Sequence, residues 1–460
     1  MTKKTCLLVF LTLMLGMFSA AWAATINVPG NHATIQAAID AASDGDEIQI
    51  AAGTYNEHVI INKAISLLGP NANISAVDGT RVPEAVIGQY ITVNNGAGLS
   101  DVIIAGFEFN ETDAWHSIIM IGGNTEDVQI LNNRFINIPW KAIYTEAGAN
   151  VTNLDMIISG NLISGVSSNS ESGIYLINHT GGTISNNKIE NTVYGGILIN
   201  TYCHGMTISN NQIYNVPQQG LQLSGDVADV TVSGNIIDHA NTAEVSDKGG
   251  IRLYASDFTG PVLITGNTIS NSYNGIAVKD GYGSLSPAQQ EWIQIRNNDL
   301  SGNVCGVYMP ANGSDYLDAE ENWWGDPAGP TLRNGVGVTA HVLFDPWYAD
   351  AAMTTMDSNS YIAGHSYTFT VNSPNSEDGA KAYIWGFYTP TVGNWVNTTY
   401  GSALIQNGQA VITYTVPTDY KSDFYWEVVV AQSPTNQTRS TLWNPEGPWD
   451  QFDIYMLRGQ

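Results

Sequence analysis

Basic residues are scarce in this chain of 460 residues. It contains 16 Lys and Arg against 42 Asp and Glu, which gives a formal net charge of −26 at pH 7. Such a charge opposes association with nucleic acid and with anionic membrane surfaces. The acids form no long block, so we expect the charge to be spread over a solvated surface. Nucleic acid is therefore excluded as an expected partner.

Long apolar runs are also missing after the N-terminus. The run at residues 7–18 follows Lys3 and Lys4 and precedes the small residues around Ala23, which is typical of a secretory signal peptide over residues 1–23. An N-terminal anchor helix is the alternative, but the run is short for a membrane span. We therefore expect a secreted protein, extracellular, periplasmic or associated with the cell surface, with no membrane span after signal removal.

Helical periodicity is absent over most of the chain, and a short repeat takes its place. Each copy alternates apolar and polar residues, bends at an Asn, and alternates again, as in VLITGNTISNSYNGIAV at residues 262–278. The bend asparagines recur every 24 to 32 residues, at Asn133, Asn161, Asn187, Asn211, Asn235, Asn267 and Asn298. Strand-forming repeats of this length predict a β-solenoid whose equivalent strands pair in parallel from coil to coil.

The bend asparagines are predicted to be structural. Asn tolerates left-handed backbone angles, and its amide can hydrogen-bond to the same side chain in the coils above and below. Ligand binding is the alternative interpretation. The same register separates Cys203 from Cys305 by several coils, beyond the reach of a disulfide, so both are predicted to be free thiols.

The two ends of the repeat have sequences suited to covering it. The apolar spacing of residues 35–42 predicts a short helix that covers the N-terminal end of the core. Near the other end, Trp323, Trp324, Phe344 and Trp347 are predicted to form a C-terminal plug. Sugar stacking by Trp323 or Trp324 is the alternative.

The repeat stops after about residue 352. Four alternating apolar segments separated by turn-rich gaps predict a β-sandwich over residues 353–460. Its tryptophans are expected to be mainly core, although an exposed subset would make it a glycan-binding module. These tryptophans are Trp385, Trp395, Trp426, Trp443 and Trp449.

Three sequence features resemble a known group of proteins: the segment TIQAAIDAASDGDEIQIAAGTYNEHVIINKAISLLG at residues 34–69, the repeats, and NWWGDPAGP at residues 322–330. Together they resemble the secreted right-handed parallel β-helix proteins of the pectate-lyase-like superfamily, including NosD-like proteins. The resemblance covers about residues 24–350. It implies a right-handed parallel β-helix. Together with the segments described above, the sequence predicts an all-β chain with a signal peptide at 1–23, a right-handed parallel β-helix with an N-terminal capping helix at 24–352, and a β-sandwich at 353–460.

The resemblance implies no single activity, because the group includes lyases, hydrolases, epimerases and esterases. The catalytic motifs of its named enzyme families are absent; only CHG at residues 203–205 and IRL at 251–253 are similar to polygalacturonase motifs. The NosD-like resemblance implies a copper-related role. The chain has few Met-His or Cys-His clusters that would support it. The sequence requires no cofactor, and Ca²⁺ is compatible with its carboxylates but supported by no motif.

The repeat register places one row of side chains on the outer side of the last strand of each coil. This ladder reads Tyr144, Tyr175, Leu198, Gln222, Arg252, Ala277 and Tyr308. The ladder and the bend after it combine aromatic, basic and acidic residues, so we expect this side to bind an extracellular or cell-surface polysaccharide. The candidate substrate-binding residues are Glu146, Tyr175, His179, Tyr202, Gln222, Tyr254 and Tyr308.

The same side supplies the candidate catalytic residues. These are Arg252, Lys279, His204, Asp226, Asp257 and Asp280. In β-elimination, Lys279 or His204 would be the base and Arg252 would stabilise the enolate. Hydrolysis would instead use two of the three aspartates. The alternative is that Arg252 and Lys279 only form ion pairs with these aspartates.

The sequence thus predicts a secreted, carbohydrate-active β-helix protein that acts on or binds an extracellular polysaccharide. The sharper hypothesis is a uronate polysaccharide lyase, with a glycoside hydrolase as the other enzymatic form. The alternative is a non-catalytic surface or adhesive protein that only binds glycan.

Overall fold

The computed structural model describes residues 23–93, 98–110, 116–145, 153–279, 284–310 and 315–325, together with shorter segments between 330 and 458. Residues 1–22 lie outside the described residues, and with them most of the segment predicted as a signal peptide.

Three parallel sheets lie between the strands Thr25–Val28 and Val342–Leu343, and most coils pass through the first, second and third sheet in turn. The first sheet consists of Thr25–Val28, Glu47–Ile50, Ser66–Leu68, Ile103–Ala105, Gln129–Leu131, Ile157–Ser159, Thr183–Ser185, Thr207–Ser209, Val230–Ser233, Val262–Thr265, Ile293–Arg296, Leu317–Asp318 and Val342–Leu343. The second sheet consists of Gly53–Tyr55, Ala85–Ile87, Glu108–Phe109, Arg134–Ile136, Leu162–Ser164, Lys188–Glu190, Gln212–Val216, Ile236–Ala240 and Thr268–Ser270.

The third sheet follows the bend that closes each coil. Its main path consists of Val59–Ile61, Ile91–Val93, Ile119–Ile121, Ile143–Thr145, Ser172–Thr180, Gly195–His204, Leu221–Ser224, Ile251–Leu253, Asn274–Val278, Cys305–Tyr308 and Gly337–Val338. Short strands beside this path are Leu99–Ser100, Thr125–Glu126, Asn153–Leu154 and Val227–Ala228. The architecture is the predicted right-handed parallel β-helix.

The apolar residues of all coils share one core. Ile197, Leu221 and Ile251 are in direct register in the third sheet and are fully buried in the same cluster. The alternation of period two therefore directs these side chains inward, as predicted. Cys203 and Cys305 lie in different coils as free thiols, which confirms that prediction.

The bend asparagines form a continuous internal ladder. Asn211 accepts hydrogen bonds from the backbone N and Nδ2 of Asn187, at 3.1 and 3.0 Å, and donates to Asn235 Oδ1 at 2.9 Å. The same pattern runs from Asn133 to Asn322. These side chains satisfy buried polar groups of the turns, so their role is structural.

One detail of the asparagine prediction is wrong. The left-handed backbone angle belongs to the residue before each ladder asparagine, such as Asn210 with φ 55° or Gly234 with φ 64°. The ladder asparagine itself supplies the hydrogen bonds. The two tasks are separated because the left-handed residue turns the chain and so aims the next side chain inward.

Both ends of the β-helix are covered. The helix Ile35–Ala41 packs Ile35 and Ile39 on the core, and the Glu57 carboxylate accepts hydrogen bonds from the Ile35 and Gln36 amides at 2.9 and 3.1 Å. At the other end Trp324 is fully buried and Trp323 nearly so. Sugar stacking by these two rings is therefore wrong, because their faces are packed inside. Trp347 lies outside the described residues.

Two antiparallel sheets follow residue 352. One consists of Met353–Met356, Ser366–Asn372 and Gln409–Thr415. The other consists of Asn394–Leu404, Lys381–Thr391, Asp423–Ala431 and Asp453–Arg458. The β-sandwich itself stays a prediction, and the side chains of its five tryptophans lie outside what the structure describes. Two further helical segments, the 3₁₀ turn Ala255–Asp257 and the helix Pro287–Trp292, lie in excursions from the coils.

Candidate functional site

The predicted ladder is present along the third sheet. Tyr144 pairs with Tyr175, Gln222 with Arg252, and Ala277 with Tyr308, in unbroken register through Leu198. The expectation that every member faces solvent is wrong, because Gln222, Arg252 and Ala277 are buried. The excursion at residues 241–249 approaches this part of the sheet and supplies a partner for Arg252.

Arg252 is the centre of a cationic group that consists of Lys248, Arg252 and Lys279 around Asp247. Arg252 donates from Nε to the Asp247 backbone O at 2.9 Å and from Nη2 to Asp247 Oδ2 at 2.7 Å. Lys279 Nζ lies 2.8 Å from the same oxygen. Asp247, an aspartate of the excursion that the repeat register did not predict, is thus a partner of both Arg252 and Lys279. Asp280, one of the predicted partners, lies outside the described residues.

The excursion that carries Asp247 is tied down by two asparagines. Asn241 Nδ2 donates to the Val245 and Lys248 backbone O atoms, and Asn274 Nδ2 donates to the Ser246 and Lys248 O atoms at 2.8 and 2.7 Å. Asp247 is therefore held in place by the backbone rather than by its cations alone.

Charges in the cationic group shift the pKa values of two members. Burial alone would raise the pKa of Asp247, but hydrogen bonds from Lys279 and Arg252 and their charges hold it below its usual range. Burial and the Arg252 guanidinium lower the pKa of Lys248, although Asp247 acts in the opposite sense. Arg252 and Lys279 therefore contact one ionised carboxylate, and Lys248 lies within range of its charge.

Tyrosine rings lie against these cations. The Arg252 guanidinium carbon lies 5.1 Å from the Tyr254 ring centroid, and Lys248 Nζ lies 5.3 Å from that of Tyr194. Both rings are partly exposed. The cationic group thus combines positive charge with aromatic surface, as expected for a site that takes acidic sugars.

A second group, the His–Asp group, consists of His204, Asp226, Asp257 and Thr259. His204 Nε2 lies 3.0 Å from Asp226 Oδ1, and Thr259 donates to the same oxygen. His204 pairs in register with Ala228, six residues beyond Gln222, the register partner of Arg252. The structure therefore places His204 apart from the guanidinium with which it was expected to act.

The two carboxyl groups of the His–Asp group have opposite pKa shifts. Burial would raise the pKa of Asp226, but hydrogen bonds from Thr259 and His204 outweigh it and lower the pKa. Burial raises the pKa of Asp257, against a hydrogen bond from the Gly225 amide. Because Gly225 precedes Asp226, the two carboxyl groups belong to one site.

His179 does not face outward. Its side chain is fully buried, Nε2 accepts from the Met156 amide at 3.4 Å, and burial lowers its pKa to about 4. A substrate-binding role for His179 is therefore wrong. In the next coil Cys203 is equally buried, and burial raises its pKa to about 12, so it is not a nucleophile.

The remaining candidates are spread along the sheet. Tyr175 and Tyr308 lie on the ladder and are partly exposed, while Tyr202 is the most exposed, at 59%, in the bend after the strand. Glu146 and Asp280 lie outside the described residues.

Polar side chains connect successive coils of this surface. Asn200 Nδ2 donates to Tyr175 Oη at 3.0 Å and Asn200 Oδ1 accepts from Ser224 Oγ at 3.0 Å. Gln222 Nε2 donates to Ser224 Oγ at 3.2 Å and Gln222 Oε1 accepts from Arg252 Nη1 at 3.3 Å. These hydrogen bonds fix the orientation of the Tyr175, Gln222 and Arg252 side chains.

The repeat-based reasoning missed Asp247, Lys248, Trp140 and Lys141. These residues lie in the segment before each third-sheet strand, whose length varies between coils, so their alignment is not visible from the bend asparagines. The signal available in the sequence was their type, since Lys141 and Lys248 are two of only 16 basic residues.

No described residues form a group of three or more His, Cys, Asp and Glu side chains suited to a metal ion. Within the same described ranges, no helix is both long and apolar enough to span a bilayer.

The fold and a family match define the class of protein. Residues 117–291 match the family model described as the right handed beta helix region. This agrees with the three parallel sheets and confirms the predicted right-handed parallel β-helix. No curated protein sequence matches the chain.

Several solved structures are similar to this chain in backbone fold. An alginate lyase from Paenibacillus sp. str. FPU-7 has 14% identity and a TM-score of 0.34, with 69% of this chain and 98% of that chain covered. DFA-IIIase from Arthrobacter chlorophenolicus A6 has 14% identity and a TM-score of 0.34, covering 66% and 83%. Tailspike protein 2 of Escherichia coli O157:H7 bacteriophage CAB120 has 10% identity and a TM-score of 0.34, covering 95% and 69%. Likeness at this level carries no information on the activity of this chain.

Proposed function

We propose that this protein binds an acidic extracellular polysaccharide along the outer side of the third sheet, with the sugar carboxylates at the cationic group. The observation that carries the proposal is the charge of that group. Arg252 and Lys279 contact the Asp247 carboxylate, and Lys248 lies close enough to feel both positive charges, in a chain with 16 basic and 42 acidic residues. Such a grouping of positive charge would attract an anionic ligand.

The geometry supports binding more directly than lyase chemistry. Lys279 donates to Asp247 and would have to leave this pair to act as a base. Arg252 is fixed by Asp247 and Gln222 and is suited to stabilise charge on a sugar carboxylate. His204, the other base considered, belongs to the His–Asp group. Binding is therefore the primary function proposed, and β-elimination is secondary.

The His–Asp group favours hydrolysis as a second candidate activity. Asp226 is kept ionised and Asp257 is shifted toward its neutral acid, and the two are joined through the Gly225 amide. Two carboxyl groups whose environments push their pKa values in opposite directions are a feature of glycoside hydrolase sites. In that reaction Asp257 would protonate the leaving oxygen, and Asp226 would act as the base or nucleophile.

The test compares the effect on binding affinity of removing one lysine charge from the third sheet with that of removing a similarly exposed lysine charge from the second sheet. The Lys279 and Lys188 side chains are 27% and 30% exposed, and each Nζ lies 2.8 Å from a carboxylate oxygen. We expect Lys279→Gln to weaken binding of polygalacturonate or alginate about tenfold, since a charge-assisted hydrogen bond is lost. Lys188→Gln should bind like the wild type. Isothermal titration calorimetry measures both.

The same preparations are incubated with acidic and neutral polysaccharides. Absorbance of unsaturated products reports elimination, and new reducing ends report hydrolysis. Hydrolysis that disappears in both Asp226→Asn and Asp257→Asn would establish the second activity. Equal affinity for polygalacturonate and a neutral glucan, or no binding of any acidic polymer, would refute the proposed function.

A further inference from the structure

We infer that the third sheet carries a separate aromatic subsite, and that one glycan chain spans this subsite and the cationic group. This inference rests on the proposed function. The aromatic group consists of Trp140, Lys141, Tyr144, Glu171 and Tyr175, on two coils that precede the cationic group.

Lys141 organises the aromatic group from within. Its Nζ lies 4.7, 4.8 and 5.5 Å from the ring centroids of Trp140, Tyr144 and Tyr175, respectively. Glu171 Oε2 lies 3.0 Å from the same nitrogen. The lysine is buried while all three rings are partly exposed, so the cation is inside and the rings form the outer surface.

This arrangement is suited to binding an uncharged part of a sugar. The Glu171 carboxylate neutralises Lys141, so the group presents no net charge to a ligand. The cation–π contacts fix the rings in advance, and the Tyr144 and Tyr175 rings also meet edge to face at 5.6 Å. Fixed rings lose little entropy when they stack on the apolar faces of sugar rings.

Hydrogen bonds and the strand register connect the two groups along the third sheet. Tyr175 is joined to Arg252 through hydrogen bonds of Asn200, Ser224 and Gln222, one coil after another. Tyr144 and Arg252 occupy the same ladder, four coil steps apart. Successive parallel strands lie ~4.8 Å apart, so the two groups are separated by about 19 Å.

Ligand length therefore determines which group is used. An acidic disaccharide is too short to reach from one group to the other and engages only the cationic group. A chain that exceeds the separation gains the aromatic group without any new charge interaction. Affinity should rise when the oligosaccharide becomes long enough to reach the second group.

The experiment titrates sized oligogalacturonates and oligoalginates, from the disaccharide to the octasaccharide, into the full chain. For the double variant Trp140→Ala/Tyr175→Ala we expect about tenfold weaker binding of the longest oligomers and less than twofold change for the disaccharide. Lys279→Gln should weaken both lengths equally. Tyr144→Leu, which keeps apolar bulk, provides a second variant if the double variant does not fold by circular dichroism.

Two controls separate ring stacking from structure. Tyr175→Phe keeps the ring but loses the Asn200 hydrogen bond, and it should bind long oligomers within twofold of the wild type. Tyr214→Ala removes a ring that lies against Lys188 on the second sheet and should leave binding unchanged. Length-independent affinity, or equal losses at both lengths in the double variant, would overturn this inference alone. A wild type that binds no oligomer of any length would overturn the proposed function as well.

Discussion

At the scale of single residues, Arg252 of the outer ladder and His179 of the core avoid the free-energy cost of a buried, unpaired charge in opposite ways. Arg252 is nearly buried yet stays charged, because Asp247 and Gln222 satisfy its donors. His179 is fully buried, and it avoids the cost of burying a charge by staying neutral. The first solution keeps a positive charge on the third sheet, and the second makes the free energy of unfolding depend on pH.

The neutral state of His179 predicts a loss of stability in mild acid. Its pKa is about 4 in the folded chain, against 6.5 for the ordinary value. As pH falls below 6.5 the unfolded chain takes up the proton first, so the free energy of unfolding decreases. Between pH 7 and 5 this residue should account for about 2 kcal/mol. Urea denaturation at several pH values measures the decrease.

The variant His179→Gln keeps an acceptor for the Met156 amide but does not titrate in this range. Between pH 7 and 5, its free energy of unfolding should decrease by about 2 kcal/mol less than that of the wild type. Parallel pH curves for the wild type and His179→Gln would contradict the assignment.

At the scale of the structural element, each bend with a ladder asparagine depends on two neighbouring residues that have different roles. Asn210 has the left-handed backbone angle, and Gly234 replaces it one coil later. Asn211 makes the internal hydrogen bonds to Asn187, Asn235 and the Ile184 carbonyl. A bend residue and a ladder residue of the same type therefore differ in what they contribute to stability.

This division predicts opposite results for the same substitution at adjacent positions. Asn210→Gly keeps the left-handed angle and should change the free energy of unfolding by less than about 1 kcal/mol. Asn211→Gly leaves several buried donors and acceptors unpaired and should cost on the order of 3 to 5 kcal/mol. Chemical denaturation of the two variants measures the difference, and equal losses would show that the ladder hydrogen bonds are not what stabilises the bend.

The repeat allowed the sheets, the shared core and the ladder register to be predicted, because strand alternation and a fixed bend determine them locally. Burial of Gln222 and Arg252 could not be predicted in this way. It results from the excursion at residues 241–249, which follows no period and contributes Asp247 through its own turn structure. Likewise, His179 follows the irregularity in its strand pairing between Ile177 and His179, which sequence alternation does not reveal.

At the scale of the whole molecule, positive charge is concentrated while negative charge is dispersed. Three of the 16 basic residues form the cationic group, and Lys141 lies inside the aromatic group of the same sheet. The proposed acidic polysaccharide would be repelled by the acidic residues of the surface and attracted at the cationic group. The coils determine the spacing between the aromatic and cationic groups, and the excursion at residues 241–249 contributes Asp247 and Lys248 to the cationic group.

The location of the candidate site on the coils predicts that the C-terminal segment is dispensable for binding. The described strands after residue 352 pair only with one another, and the last described coil strand is Val342–Leu343. A chain that stops after residue 352 therefore keeps every described strand pairing of the coils and the buried Trp324 near their end. We expect it to fold, by circular dichroism, and to bind acidic polysaccharide within twofold of the full chain. The full chain carrying Lys279→Gln serves as the weak-binding reference. Should the shortened chain fold but lose affinity as much as that reference, the binding surface would have to include the C-terminal segment.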